Sequence, residues 1–141
     1  MNVSKILITP LRRIDVPGGD VLHAMKCSDN GYKGFKETYF SFIDYKFVKA
    51  WKRHKEMSLN LVVPIGNVKF VFVDDENGIK EIIIGEENYS RITVPPSIWF
   101  GFQGMSSPSN LVLNIADITH DPDEVERKLV DEIAFDWGRY L

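Results

Sequence analysis

The sequence contains one cysteine, Cys27, among 141 residues, which excludes an internal disulfide. Long hydrophobic runs are also missing. The apolar stretches, such as residues 82–84, are far too short to span a bilayer. The opening MNVSKILITP lacks a secretory hydrophobic region, so a cytoplasmic location is expected. No basic arm or lysine-rich block occurs. Seventeen basic against twenty acidic residues leave a net charge of −3, which argues against nucleic acid as a partner. There is no GxGxxG, P-loop, GxSxG or HExxH motif, so nothing points to nucleotide hydrolysis or hydride transfer.

What is present is a globular balance, with 44% hydrophobic and 12% aromatic residues. The length is that of one domain over residues 1–141, large enough to bury a sizeable core. Isoleucine and valine fall in short clusters separated by turn residues, and β-branched side chains favour a pleated surface. Strands are expected at residues 3–8, 21–27, 38–43, 47–53, 59–65, 67–74, 80–84, 89–94, 99–103 and 111–118. Asn77-Gly78 predicts a tight hairpin. Near the end, Asp121, Pro122, Asp123 and Glu124 predict one helical turn, with Asp121 as its N-cap. Strands at this spacing without intervening helices predict an all-β antiparallel sandwich or barrel.

The densest polar cluster within a strand pattern is Lys49-Ala50-Trp51-Lys52-Arg53-His54-Lys55. Simple alternation puts Ala50, Lys52 and His54 on one face and Lys49, Trp51 and Arg53 on the other. If the small Ala50 marks the interior, Lys52 and His54 project into a barrel mouth. There they would attract an anion and depress each other's pKa. The same charges also fit a solvated edge strand that resists aggregation. The aromatics of residues 91–102 fit either a base- or sugar-stacking surface or plain core. His120 stands at a strand end before Asp121-Pro122, where functional groups commonly sit, while His23 reads as structural.

Residues 19–23, 34–41, 48–55, 60–66, 94–102 and 133–137 together carry a resemblance. In these segments the chain resembles the cupin-fold nucleotide-sugar epimerases, the group of dTDP-4-dehydrorhamnose 3,5-epimerase, and more closely a shorter epimerase-like branch. The resemblance implies a jelly-roll barrel, a homodimer exchanging N-terminal strands, and a small-molecule nucleotide sugar as partner. It implies proton removal beside a 4-keto group and return on the other face, with no metal or cofactor. The expected activity is an isomerase acting on a 4-keto-6-deoxy sugar nucleotide in surface polysaccharide sugar biosynthesis. A 3,4-ketoisomerase and a non-catalytic sugar-nucleotide-binding cupin are the alternatives.

The family's catalytic positions read differently here. The epimerases' base histidine falls at Lys52, their acid tyrosine at His120, and their lysine at Leu59. An aspartate to pair with the base has no expected counterpart before Leu141. The His-x-His pair of the ketoisomerases falls at Lys52 and His54, followed by the matching Lys55. Metal-binding cupins need four ligands where this chain has Lys52, His54, Ser58 and Phe100, so no metal is expected. In the preferred assignment, which needs less pKa perturbation, neutral His54 abstracts the proton, cationic Lys52 stabilises the enolate and His120 reprotonates the carbon. A second assignment makes Lys52 the base. Substrate contacts are expected from Lys49, Trp51, Arg53, Lys55, Asn60, Glu37 and Trp99. Lys46, Lys49, Lys52, Arg53 and Lys55 lie within ten residues, a local charge suited to a nucleotide diphosphate.

Overall fold

The structure is a computed structural model and describes residues 1–138. Its strands are β1 (Leu7–Pro10), β2 (Arg13–Ile14), β3 (Val21–Leu22), β4 (Glu37–Asp44), β5 (Val48–His54) and β6 (Leu59–Ile65). They continue as β7 (Asn67–Val73), β8 (Ile79–Gly85), β9 (Ser90–Val94), β10 (Trp99–Gly104), β11 (Ser109–Ala116) and β12 (Val125–Arg127). Two five-stranded sheets are ordered β1-β9-β6-β11-β4 and β12-β5-β10-β7-β8, and all their strand pairs are antiparallel. Chain neighbours thus often sit in opposite sheets, the crossing pattern of a jelly roll.

Alternation within β7 shows why the sheets face one another. Val68, Phe70 and Phe72 turn inward against Leu59, Leu61 and Val63 of β6 and Phe100 of β10, forming the core between the sheets. Val71 and Val73 turn the other way and join Val48, Trp51, Trp99 and Trp137 in a second cluster. The C-terminal segment carrying Phe135 and Trp137 covers that outer surface. Trp51 and Trp137 have ring centroids 5.5 Å apart, and the Trp51 indole donates to the Val130 carbonyl at 3.1 Å.

Several expected elements are redrawn. Residues 3–8 begin with a 3₁₀ turn, Val3–Lys5, because the Asn2 side chain accepts from the Ser4 N–H and caps it; extended pairing starts only at Leu7. Of residues 21–27, only Val21–Leu22 pairs, with Arg13–Ile14. The rest is a loop whose carbonyls are claimed by side chains: Arg91 donates to Ala24 and Asn30, and Tyr89 to His23. The hairpin forms with Asn77 at φ 62°, and Asp74 accepts from the N–H groups of Glu76 and Gly78. The C-terminal turn is a 3₁₀ helix, Pro122–Glu124, capped by Asp121. It runs directly into β12, which the sequence reading lacks because three residues rich in charge show no periodicity.

The facing of β5 also differs from simple alternation. Phe100 pairs with Lys52 but Gly101 pairs with Ala50, so Trp51 is an extra residue in a β-bulge. The bulge leaves Ala50 and Trp51 together on the outer surface. It places Lys49, opposite Phe102, on the inner side with Lys52 and His54. Gly101 makes this possible. A Cβ there would come within 2.6 Å of the Ala50 side chain and 3.2 Å of the Trp51 and Trp137 rings.

Candidate active site

A cleft of about 680 Å³ opens along the seam between β4 and the β5–β12 edge of the opposite sheet. Its walls carry Ser41, Lys49, Lys52, Arg127 and Lys128. A smaller inner cavity of about 70 Å³ shares Ser41, Lys52, Phe100 and Phe102 with the cleft and adds Tyr39, His54 and Asn114. Anionic ligand groups suit the basic outer cleft, and a small polar ring suits the inner cavity.

His54 ends β5 at 5% exposure and bonds through Nδ1 to Glu124 Oε1, and Glu124 is 4% exposed. The other carboxylate oxygen accepts from the backbone N–H of Glu56 at 3.1 Å and of Met57 at 3.2 Å. Burial alone would raise Glu124, but the hydrogen bond from His54 and the two backbone bonds outweigh it and hold it below the usual carboxylate range. An ionised carboxylate only accepts, so the His54 proton resides on Nδ1 and Nε2 keeps its lone pair. Burial depresses the His54 pKa. The bond to Glu124 opposes this, and Lys52 and Arg127 reinforce it. The ring is therefore neutral near pH 7, as a general base must be.

Lys52 faces Phe100 and lines both the cleft and the inner cavity. Burial and the neighbouring Arg127 lower its pKa; Glu124 opposes this, and Lys49 adds to the lowering. Across the cavity, the Tyr39 hydroxyl on β4 accepts from Asn114 Nδ2 at 2.9 Å. The buried Asn114 Oδ1 has no partner among the described residues and is a ready acceptor for a ligand hydroxyl.

The remaining sequence-predicted residues divide clearly. Lys49 reaches the cleft and donates to the Phe42 carbonyl at 2.7 Å. Trp51 borders the cleft, with its ring in the outer cluster. Arg53 bonds Glu126 and Asp75 and lies 4.7 Å from the Trp99 ring centroid, so Arg53 and Trp99 belong to the outer surface. Lys55 is exposed and holds the turn through its N–H to the Glu124 carbonyl. Asn60 donates to the Gly31 carbonyl and accepts from Thr93, anchoring the 23–31 loop. Glu37 accepts from the His120 N–H at 3.1 Å; neither lines the cleft or the inner cavity.

Sequence reasoning missed Glu124, Tyr39, Asn114 and Arg127. Alternation in β4, with Tyr39, Ser41 and Ile43 on one face, was the available signal for Tyr39. Glu124 was visible only as an acidic residue in a helical turn. Among the described residues, no group of three or more His, Cys, Asp or Glu side chains is placed to hold a metal ion. No helix among them is long and apolar enough to cross a membrane.

A jelly roll with a buried histidine–carboxylate pair and a lysine at its open seam is equipped for proton transfer beside a polarised carbonyl. No protein-family model and no curated protein matches the chain. Solved structures do. A dTDP sugar isomerase from Desulfovibrio desulfuricans G20 is 32% identical, with a TM-score of 0.91 over 96% of this chain and 92% of that one. A dTDP-4-dehydrorhamnose 3,5-epimerase from Sulfolobus tokodaii is 20% identical, with a TM-score of 0.79 over 96% and 84%. A sugar 3,4-ketoisomerase from Thermoanaerobacterium thermosaccharolyticum, solved with TDP, is 16% identical, with a TM-score of 0.77 over 93% and 96%. The last two share the fold. With the first, the chain belongs to the dTDP-sugar isomerase family, on the epimerase-like cupin fold.

Proposed function

We propose that the protein epimerises a nucleotide-linked 4-keto-6-deoxy sugar by removing and returning a proton beside the ketone. The observation that carries this reading is the buried His54, oriented by Glu124 and lining the same cavity as Lys52. His54 Nε2 takes the proton from the carbon next to C4. Lys52 faces the C4 oxygen, where negative charge develops. Tyr39 lines the cavity on the opposite sheet whereas His120 does not, so proton return is assigned to Tyr39. Relocating a proton requires no oxidant or reductant.

The nucleotide diphosphate lies along the outer cleft against Lys49, Arg127 and Lys128. Asn114 Oδ1 accepts from a sugar hydroxyl. A homodimer covers the outer surface of β4, where Phe40 and Phe42 are 64% and 68% exposed beside Leu113 and Leu111 of β11. The protein works in the cytoplasm, supplying sugars for surface polysaccharide.

The test is incubation with TDP-4-keto-6-deoxyglucose in deuterated water. Protein-dependent deuterium at C3 or C5 with inversion supports epimerisation. A carbonyl moved to C3 favours the ketoisomerase, and binding without exchange leaves a sugar-nucleotide-binding cupin.

A further inference from the structure

Lys52 differs from the other lysines of the cleft. Lys49 is bonded to the Phe42 carbonyl, and Lys128 lies 4.7 Å from the Trp99 ring centroid. Among the described residues, the Lys52 amine has neither a hydrogen-bond acceptor nor an ion-pair partner. The nearby carboxylate is bonded elsewhere: Glu124 accepts from His54, Glu56 and Met57. Lys52 also stands where the cleft narrows into the inner cavity, on the same face of β5 as His54. A half-buried ammonium beside Arg127 and Lys49 gives up its proton more readily than a solvated one, an effect that the charge of Glu124 offsets only in part. A lysine with a neutral amine, placed where a ketone is to be bound, is a nucleophile.

We propose that Lys52 forms a covalent iminium with the C4 ketone of the sugar during turnover, an inference that rests on the epimerase reading above. The amine lone pair forms the N–C4 bond while the carbonyl π pair moves to oxygen. Amine, ketone and one proton then give the iminium and one water. His54 Nε2 takes the proton from the adjacent carbon, and the C–H pair neutralises the iminium nitrogen to leave an enamine. Tyr39 returns a proton to the opposite face and regenerates the iminium. One water then adds, releasing the ketone, the free amine and a proton. The cation that would lie beside an enolate oxygen is thereby bonded to the reacting carbon, which acidifies its neighbour more strongly.

This route also selects between the two isomerisations. If the enamine formed toward C3 were reprotonated at C4, the carbonyl would appear at C3. Lys52 would remain on C4 as a secondary amine, with no iminium left to hydrolyse. A covalent Lys52 therefore commits the site to epimerisation and makes the 3,4 shift a dead end.

The experiment is reductive trapping of the wild-type protein with TDP-4-keto-6-deoxyglucose and borohydride, followed by intact mass and peptide mapping. The expected product is a single adduct on Lys52, weighing the sugar nucleotide less one oxygen. In parallel, Lys52→Arg keeps the charge but loses the adduct, and deuterium exchange falls at least about 100-fold. Exchange by the wild type without an adduct overturns the covalent step and leaves the epimerase reading intact. So does an adduct mapping to another lysine, or exchange in Lys52→Arg within a few-fold of wild type. Absence of exchange in the wild type overturns both.

Discussion

Glu124 and His54 stand 70 residues apart in the chain, yet the buried carboxylate takes the hydrogen bond from the imidazole Nδ1. The turn capped by Asp121 presents Glu124, and β12 holds that turn against β5 through Val125 opposite His54. The carboxylate raises the proton affinity of His54 against the burial that lowers it. Glu124→Gln removes that charge, so the acid limb of kcat/KM is expected to move to lower pH. kcat should fall on the order of 10²-fold as the ring loses its orientation. A pH–rate profile of this variant checks both, and a limb moving to higher pH would contradict the pairing.

His54→Ala removes the proposed base. Deuterium incorporation is expected to fall by about 10² to 10⁴-fold, with the circular dichroism spectrum retained. Exchange at the wild-type rate would sink the assignment.

Tyr39→Phe and His120→Ala separate the two candidates for the returning proton. With Tyr39→Phe, deuterium is expected to enter from the His54 side while inversion falls at least about 10-fold. His120→Ala is expected to stay within about twofold of wild type, because His120 lines neither the cleft nor the inner cavity. NMR of the product stereochemistry distinguishes the outcomes, and the reverse pattern would return the acid role to His120.

Acid is expected to destabilise the fold in two stages. The folded state favours neutral His54, whose ordinary value is 6.5, so the unfolded chain takes its proton first and stability declines as pH drops through that value. Glu124 is held ionised below its ordinary 4.5, so its contribution is present above that value and is lost as pH falls further. Thermal midpoints measured from about pH 8 to pH 4 should show both declines. His54→Gln should flatten the first.

The outer cluster is open to a mechanical check. Trp51→Ala empties the space against Trp137 and Phe135 and is expected to cost about 3–5 kcal/mol in denaturant unfolding. Because Trp51 also bonds the Val130 carbonyl, the variant should loosen the segment that follows β12 and lower activity even where it remains folded.

The strand pattern was legible because β-branched runs and Asn77-Gly78 follow local rules. The two sheets could be inferred only as a class, since pairing β9 with both β1 and β6 is decided by distant contacts. His54 and Lys52 were visible in one strand. Lys49 was assigned to the wrong face because a bulge leaves no mark in a two-residue alternation. Glu124 and Asn114 become site residues only when separate strands converge, and no spacing rule links them to His54. Asn60 and Arg53 carried the right chemistry for binding, but the fold commits them to the Gly31 loop and to Glu126.

The order in which the chain is made gives β12 another consequence. His54 leaves the ribosome well before the turn that bears its carboxylate, and nearly every strand of both sheets is already available by then. A nascent barrel at that stage has a histidine with no orienting partner. The orientation of the ring therefore arrives only with the docking of β12 and its turn, and detaching that short strand would be enough to take the carboxylate from His54.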